Sequence, residues 1–255
     1  MLIIALIIIA VFLFFPPVTV LDKTHAVGYA ICHQIPSHSI HIDSTSLPLC
    51  ARCTGIYLGA LLAIVGLTVT GRYRYIALPS VPILILLISF IGIMGIDGIN
   101  SYLSFFPGAP HLYEPQNWLR LTTGTFHGLA MAVIVFPVIN GSLWRANTTE
   151  DKPVIGSFKE LLPYLAGCVA IILIVLWQQP FLLYPLSILS TLGVLMMLGI
   201  VNTMFVLIFT RREGYALHWR DIVIPVVMGV AVSFLMIGGM DWFRITITRA
   251  MGLPF

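Results

Sequence analysis

Residues 182–210 read LLYPLSILSTLGVLMMLGIVNTMFVLIFT and contain no Asp, Glu, Lys or Arg. A helix that crosses the roughly 30 Å of a bilayer's hydrocarbon needs about 20 apolar residues at about 1.5 Å each. This run exceeds that and must tilt, bend or protrude, with Gly193 and Gly199 as the places where it would give. Outward from it, six further apolar runs meet the same requirement, at about Leu2 to Leu21, Thr54 to Thr70, Val81 to Ile96, Leu121 to Ile139, Leu161 to Trp177 and Ile222 to Met240. The runs are unbroken rather than alternating, which predicts helices and not a lipid-facing β-barrel. The expected fold is all-α: a polytopic transmembrane helical bundle of about seven spans, forming a single integral membrane domain over residues 1–255.

Composition agrees. Of 255 residues, 59% are hydrophobic and only 9% charged, against about 25% charged in soluble domains. Mean hydropathy is +1.01. The lipid bilayer is therefore the first partner. A net charge of +3 without a dense Lys/Arg tract excludes a nucleic-acid footprint. The first run lacks a basic leader and a small-x-small cleavage site before Asp22, so it is expected to stay as an uncleaved helix that kinks or stops at Pro16 and Pro17.

Counting basic residues on alternate sides of seven spans gives an orientation. One side carries Arg72, Arg74, Arg145, Lys152, Lys159, Arg211, Arg212 and Arg220, which is eight, and the other Lys23, Arg52, Arg120, Arg244 and Arg249, which is five. The positive-inside rule then predicts a cell-membrane protein with a cytoplasmic N-terminus. Residues 22–53, Asp97 to Arg120, the turn at Trp177 and Asp241 would face outward. Residues 145–160, where basic and acidic side chains alternate, would form a solvated cytoplasmic loop.

The chemistry-bearing residues gather on that outer side. Cys32 is followed by His33, and Cys50 and Cys53 lie in Leu49-Cys50-Ala51-Arg52-Cys53-Thr54-Gly55. The remaining cysteine, Cys168, sits inside an apolar run and reads as core packing. A Cys-x-x-Cys pair offers two sulfurs to one tetrahedral ion, and Cys32 with a histidine would complete a Cys3His set for Zn(II). His25, His33, His38 and His41 are all within reach by sequence. A redox reading competes, because a helix N-terminus and Arg52 favour a thiolate at Cys50 or Cys53, giving a membrane thiol-disulfide oxidoreductase. The plainest alternative is a static disulfide from Cys32 to one of the pair.

The run Cys32-His33-Gln34-Ile35-Pro36, followed by Leu47-Pro48-Leu49-Cys50-Ala51-Arg52-Cys53-Thr54-Gly55-Ile56-Tyr57-Leu58-Gly59, resembles the signature of an uncharacterised prokaryotic membrane-protein family, domain of unknown function family 2085. Asp97-Gly98 and the segment from Asn117 to Gly124 resemble that family's later motifs, so the similarity covers about residues 25–130. The chain departs from the pattern at His38-Ser39-Ile40, where the family has Arg-Ser-Phe. The resemblance implies a multi-pass membrane protein without naming a reaction. Because it includes His33 and not the other three histidines, His33 is the favoured fourth metal ligand beside Cys32, Cys50 and Cys53.

Asp97 and Asp241 end two runs in matching contexts, Ser89-Phe90-x4-Gly95-Ile96-Asp97 and Ser233-Phe234-x4-Gly239-Met240-Asp241, which an internal duplication would explain. Asp241 is expected to pair with Arg244 three residues on. For Asp97 the nearest candidates are Arg52 and Arg120. Asp97 and Arg120 are the candidate catalytic residues. Arg120, Thr123 and His127 share a face of the fourth run, where His127 is expected to hydrogen-bond across helices. Gly55-x-x-x-Gly59 and Gly124-x-x-x-Gly128 predict close packing of the second and fourth runs. Two function classes fit these residues. One is a membrane-embedded enzyme acting on a lipid, quinone or other small substrate, and the other a transporter or assembly factor with a closed structural metal site.

Overall fold

The computed structural model describes residues 2–15, 18–106 and 108–251. Among them are eight α-helices: α1 (Leu2–Phe14), α2 (Val20–Ile31), α3 (Ala51–Val69), α4 (Val81–Leu103), α5 (Asn117–Leu143), α6 (Phe158–Trp177), α7 (Leu183–Phe209) and α8 (Trp219–Ala250). Helices α3 to α8 are the six long and apolar enough to cross a membrane. Their outward faces carry exposed Ile, Leu, Val and Phe, as lipid contact requires. The fold is thus the expected all-α polytopic bundle.

The first run differs from its expectation. Helix α1 has 13 residues, a length of about 20 Å, too short to cross the hydrocarbon by itself. Thr19 and Asp22 start a new helix where hydropathy shows one continuous run. Thr19 Oγ1 accepts from the Asp22 N–H at 3.2 Å, and the Asp22 carboxylate accepts from the Thr19 N–H at 3.0 Å. That reciprocal cap satisfies the orphan amides of α2. Pro16 and Pro17 lie outside the described residues.

The long run at 182–210 forms a continuous α7 through both glycines. Gly193 is there for packing, since a Cβ on it would stand 2.5 Å from the Tyr57 carbonyl oxygen of α3. Helix α8 runs past the expected end at Met240 to Ala250; residues 252–255 lie outside the described ones. Helix α4 likewise continues past Ile96, which places Asp97, Asn100 and Ser101 on its last buried turns.

The segment between α2 and α3 is structured. Strands β1 (Ser39–Ile42) and β2 (Thr45–Cys50) form an antiparallel hairpin pairing Ile42 with Thr45 and Ser39 with Cys50. Asp43 turns it at φ 54°, a conformation that Asp tolerates better than most residues. Ile40, Ile42, Leu47 and Leu49 are buried beneath it. Helix α2 lies so close that a Cβ on Gly28 would meet the Pro48 carbonyl oxygen at 2.0 Å. At the opposite end of the bundle, β3 (Tyr75–Ala77) and β4 (Glu150–Pro153) pair in parallel. Residues 145–160 are therefore not simply solvated: Val154 and Ile155 are buried, and Arg72 bonds both the Val154 carbonyl (2.6 Å) and Glu160 (2.5 Å).

Helices α3 and α5 make the tightest contact, and the four expected glycines cause it. A Cβ on Gly55 or Gly59 would lie 2.4 Å from Leu121 O or 2.2 Å from Thr125 O, and one on Gly124 or Gly128 would lie 2.3 Å from Arg52 O or 2.0 Å from Ile56 O. Each pair of glycines receives the carbonyls of the other helix, as small-residue stripes do in membranes. The contact at Gly124 fixes the backbone of Arg52 itself.

Candidate metal centre and the polar layer beside it

Three backbone settings bring the cysteines together. Cys32 ends α2 in an extended conformation, Cys50 ends β2 and caps α3, and Cys53 lies in the first turn of α3. Their sulfurs all lie within 4.8 Å of one another, and all three thiols are free, so the static disulfide is not formed. Cys32 and Cys50 are buried, Cys53 half-buried. The Cys50 N–H donates to Cys32 Sγ at 3.2 Å.

Hydrogen bonds from the Cys50 and Cys53 thiols, helped by that amide, draw the Cys32 thiol down. The same sharing pushes Cys50 up. The three sulfurs take up one negative charge readily and resist a second. A divalent ion removes that resistance. Tetrahedral zinc, with Zn–S about 2.3 Å, needs sulfurs about 3.8 Å apart, so this set fits.

His33 stands outside that group. Its ring is exposed, and Nδ1 accepts from the Ile35 N–H at 3.0 Å. His25 is half-buried on α2 and His41 exposed on β1. Cys168 is buried in the α6 core, away from the cluster.

Gln34, in a left-handed backbone conformation (φ 49°), ties the loop after Cys32 to both neighbours by donating to the His25 and Pro48 carbonyls at 3.0 and 2.7 Å. Arg244 of α8 closes the other side. Its Nη1 donates to the Tyr29 and Cys32 carbonyls, the latter at 2.8 Å, and its guanidinium lies 3.9 Å from the Tyr29 ring centroid. A cation at a helix C-terminus is well placed against the orphan carbonyls there. The expected Asp241–Arg244 pair makes no direct contact, because Arg244 turns to α2 and acts on Asp241 only through its charge, and Asp241 Oδ1 is buried without a hydrogen-bond partner among the described residues.

Arg52, between Cys50 and Cys53, points into a second polar group. Its Nη2 forms an ion pair with Asp97 Oδ2 and donates to Ser101 Oγ at 3.0 Å. Asp97 is 1% exposed. It also accepts from Tyr113 Oη at 2.9 Å and Thr123 Oγ1 at 3.3 Å. Of the two candidate partners for Asp97, Arg52 is the one in contact.

Arg120, 4% exposed, reaches Ser101 Oγ (3.4 Å), Asn117 Oδ1 (2.9 Å) and His38 Nε2 (3.2 Å). Thr123 joins the network as the helix face predicts. His127 does not make the expected interhelical bond: its Nδ1 is buried with no partner among the described residues.

Ser101, Tyr113 and the capping role of Arg244 were not legible in the sequence. Extending α4 by one turn would have found Ser101 at i+4 from Asp97. Arg244 bonds carbonyls, which leave no side-chain pattern to read.

Residues 32–134 match the family described as a predicted membrane protein, domain of unknown function 2085. An uncharacterised protein of Methanocaldococcus jannaschii is 29% identical over 121 residues, covering 48% of this chain and 71% of that relative. No solved structure matches the chain. The matched segment holds the three cysteines, Arg52, Asp97, Tyr113 and Arg120; Arg244 lies beyond it.

Proposed function

We propose that this chain is a multi-pass membrane metalloenzyme that binds zinc through Cys32, Cys50 and Cys53 and handles a lipid or other small substrate at the extracytoplasmic membrane surface. The observation that carries the reading is the number of ligands in reach. A closed structural zinc site uses four protein ligands, whereas a catalytic site uses three and leaves a position open. Three sulfurs converge here, and His33 joins them only by leaving its bond to Ile35. Zinc so held would supply Lewis-acid polarisation of a substrate oxygen.

The surrounding residues divide the remaining work. Arg52 sits between two ligands in sequence and turns its guanidinium to Asp97, so it ties the metal site to the polar layer. Asp97, 1% exposed and bonded by Arg52, Tyr113 and Thr123, is enclosed by its own partners, so it acts as a positioning residue that aims Arg52. Arg120, whose contacts are all to neutral groups, is the side chain left to bind substrate. The eight-to-five bias in Lys and Arg supports an outward-facing position for this end of the bundle.

Metal analysis of the purified protein, with alkylation before and after chelation, tests the reading. The expected result is about one zinc per chain and three thiols that react only after chelation, while Cys50→Ala abolishes retention and His33→Ala reduces it little. Strong loss in His33→Ala would make the site a closed Cys3His centre and favour a transporter or assembly factor. A metal-free protein with a Cys50–Cys53 disulfide that cycles with added quinone or thiol would replace the zinc reading by a thiol-disulfide oxidoreductase.

A further inference from the structure

The polar layer holds two guanidiniums and one carboxylate. Asp97 is committed to Arg52. Arg120 is almost completely buried, yet among the described residues it touches no carboxylate, only a serine hydroxyl, an asparagine carbonyl oxygen and an imidazole nitrogen. Arg52 Nε is also buried without a partner. Two guanidiniums that share one carboxylate leave a net positive charge in a largely buried layer, which is expensive to maintain, and these donors are held by elements that leave them few alternatives. Asn117, which positions Arg120, is itself fixed by donating to the Ser37 and Ser39 carbonyls at 3.0 and 3.2 Å.

Aromatic groups lie on the exposed side of the elements that carry this layer. The His38 ring, half-buried against Arg120, has its centroid 5.3 Å from that of exposed His33 and 5.2 Å from that of Phe105. Tyr102, Phe105, Phe106 and Trp118 are each more than half exposed. Polar groups rimmed by exposed aromatics are the composition of a membrane headgroup zone.

We propose that Arg120, with His38, His33 and the free Nε of Arg52, binds the phosphate group of a ligand, and that this group is carried by a lipid entering from the outer leaflet. Arg52 from α3 and Arg120 from α5 meet at Ser101 Oγ, and His38 joins Arg120 from the turn before β1, so the donors come from three elements. That arrangement suits a tetrahedral oxyanion better than a planar carboxylate, which one arginine fork satisfies. Shape and charge identify the phosphate, and the aromatic rim favours the lipid as its source over free phosphate.

The inference supplies a substrate class for the proposed metal centre and rests on that reading only for the chemistry, because none of the anion-binding groups is a cysteine ligand. Binding is measured by titrating the detergent-solubilised full chain with inorganic phosphate, with phosphatidic acid and with diacylglycerol of the same acyl chains. Each titration is run on zinc-replete and chelator-treated protein. Phosphatidic acid is expected to bind at least about tenfold more tightly than diacylglycerol, and Arg120→Gln to remove about tenfold or more of that affinity, the effect of losing one charge-assisted contact. Arg212→Gln, at the other end of the bundle, is expected to change nothing. If Arg120→Gln fails to fold, His38→Gln at the rim decides with the same expected direction.

Inorganic phosphate binding as tightly as phosphatidic acid overturns the lipid source. Diacylglycerol binding as tightly as phosphatidic acid with no phosphate binding, or unchanged affinity in both variants, overturns the anion site. Phosphate binding in a protein that holds no zinc leaves this inference standing and removes the metal reading; zinc without phosphate binding does the reverse.

Discussion

The hydrogen bond from Arg120 to His38 requires a bare Nε2 and therefore a neutral imidazole. Burial first, and then the positive charge of Arg120, hold His38 down at about 4 against an ordinary 6.5. Between those values the unfolded chain binds the proton and the folded chain does not, so stability is complete above about pH 6.5 and falls as pH drops toward about 4. Thermal denaturation across that interval is expected to show a steeper acid loss for the wild type than for His38→Gln, and equal slopes would assign the loss elsewhere. A different residue offers the reverse kind of test. Cys168, buried among Leu161, Tyr164 and the α3 and α5 side chains, acts as a small hydrophobe. Cys168→Ala should therefore leave zinc content unchanged, and loss of the ion in that variant, with retention in Cys50→Ala, would overturn the assignment of ligands.

At the scale of elements, the α3–α5 contact sets the geometry of everything polar near it. Gly128→Ala forces a Cβ to within 2.0 Å of the Ile56 carbonyl oxygen, and separating the helices is expected to cost ~1–3 kcal/mol. Gly92→Ala, with nothing near its Cβ position, should be neutral or stabilising by up to about 1 kcal/mol, since glycine is the poorer helix residue. Thermal midpoints of the two variants distinguish packing from propensity. This contact was legible in the sequence because glycines four apart mark a helix face without reference to any partner. The long spans were legible for the same reason, since hydrocarbon thickness acts on each run separately. The break between α1 and α2 was masked by apolar residues on both sides of Thr19. The Cys32–Cys50–Cys53 cluster was visible as composition. The position of His33 outside that group was not, because it depends on where one ring turns once Ile35 offers it an N–H.

For the whole molecule, the two ends of the bundle differ in chemistry. One end carries Arg72, Arg74, Arg145, Arg211 and Arg212, with the Arg74 guanidinium 4.4 Å from the Trp144 ring centroid. The other end carries the cysteines and the Arg52–Asp97–Arg120 layer. Single cysteines placed in a background lacking the native four should be labelled by an impermeant maleimide in whole cells at Ser44, on the exposed hairpin turn, and only after lysis at Arg212. Labelling of position 212 in intact cells would reverse the orientation. The seating of α3 against α5 also restricts how chains of this kind can diverge in length. One residue inserted between Arg52 and Gly55 rotates the guanidinium by about 100° away from the face that the glycines present to α5, so Arg52 loses Asp97 while the helices still pack. The same holds between Arg120 and Gly128, whereas the turn at Asp43 and Ser44 has no such constraint. Functional relatives are therefore expected to align without gaps from Cys50 to Gly59 and from Arg120 to Gly128, and to vary in length at the hairpin tip.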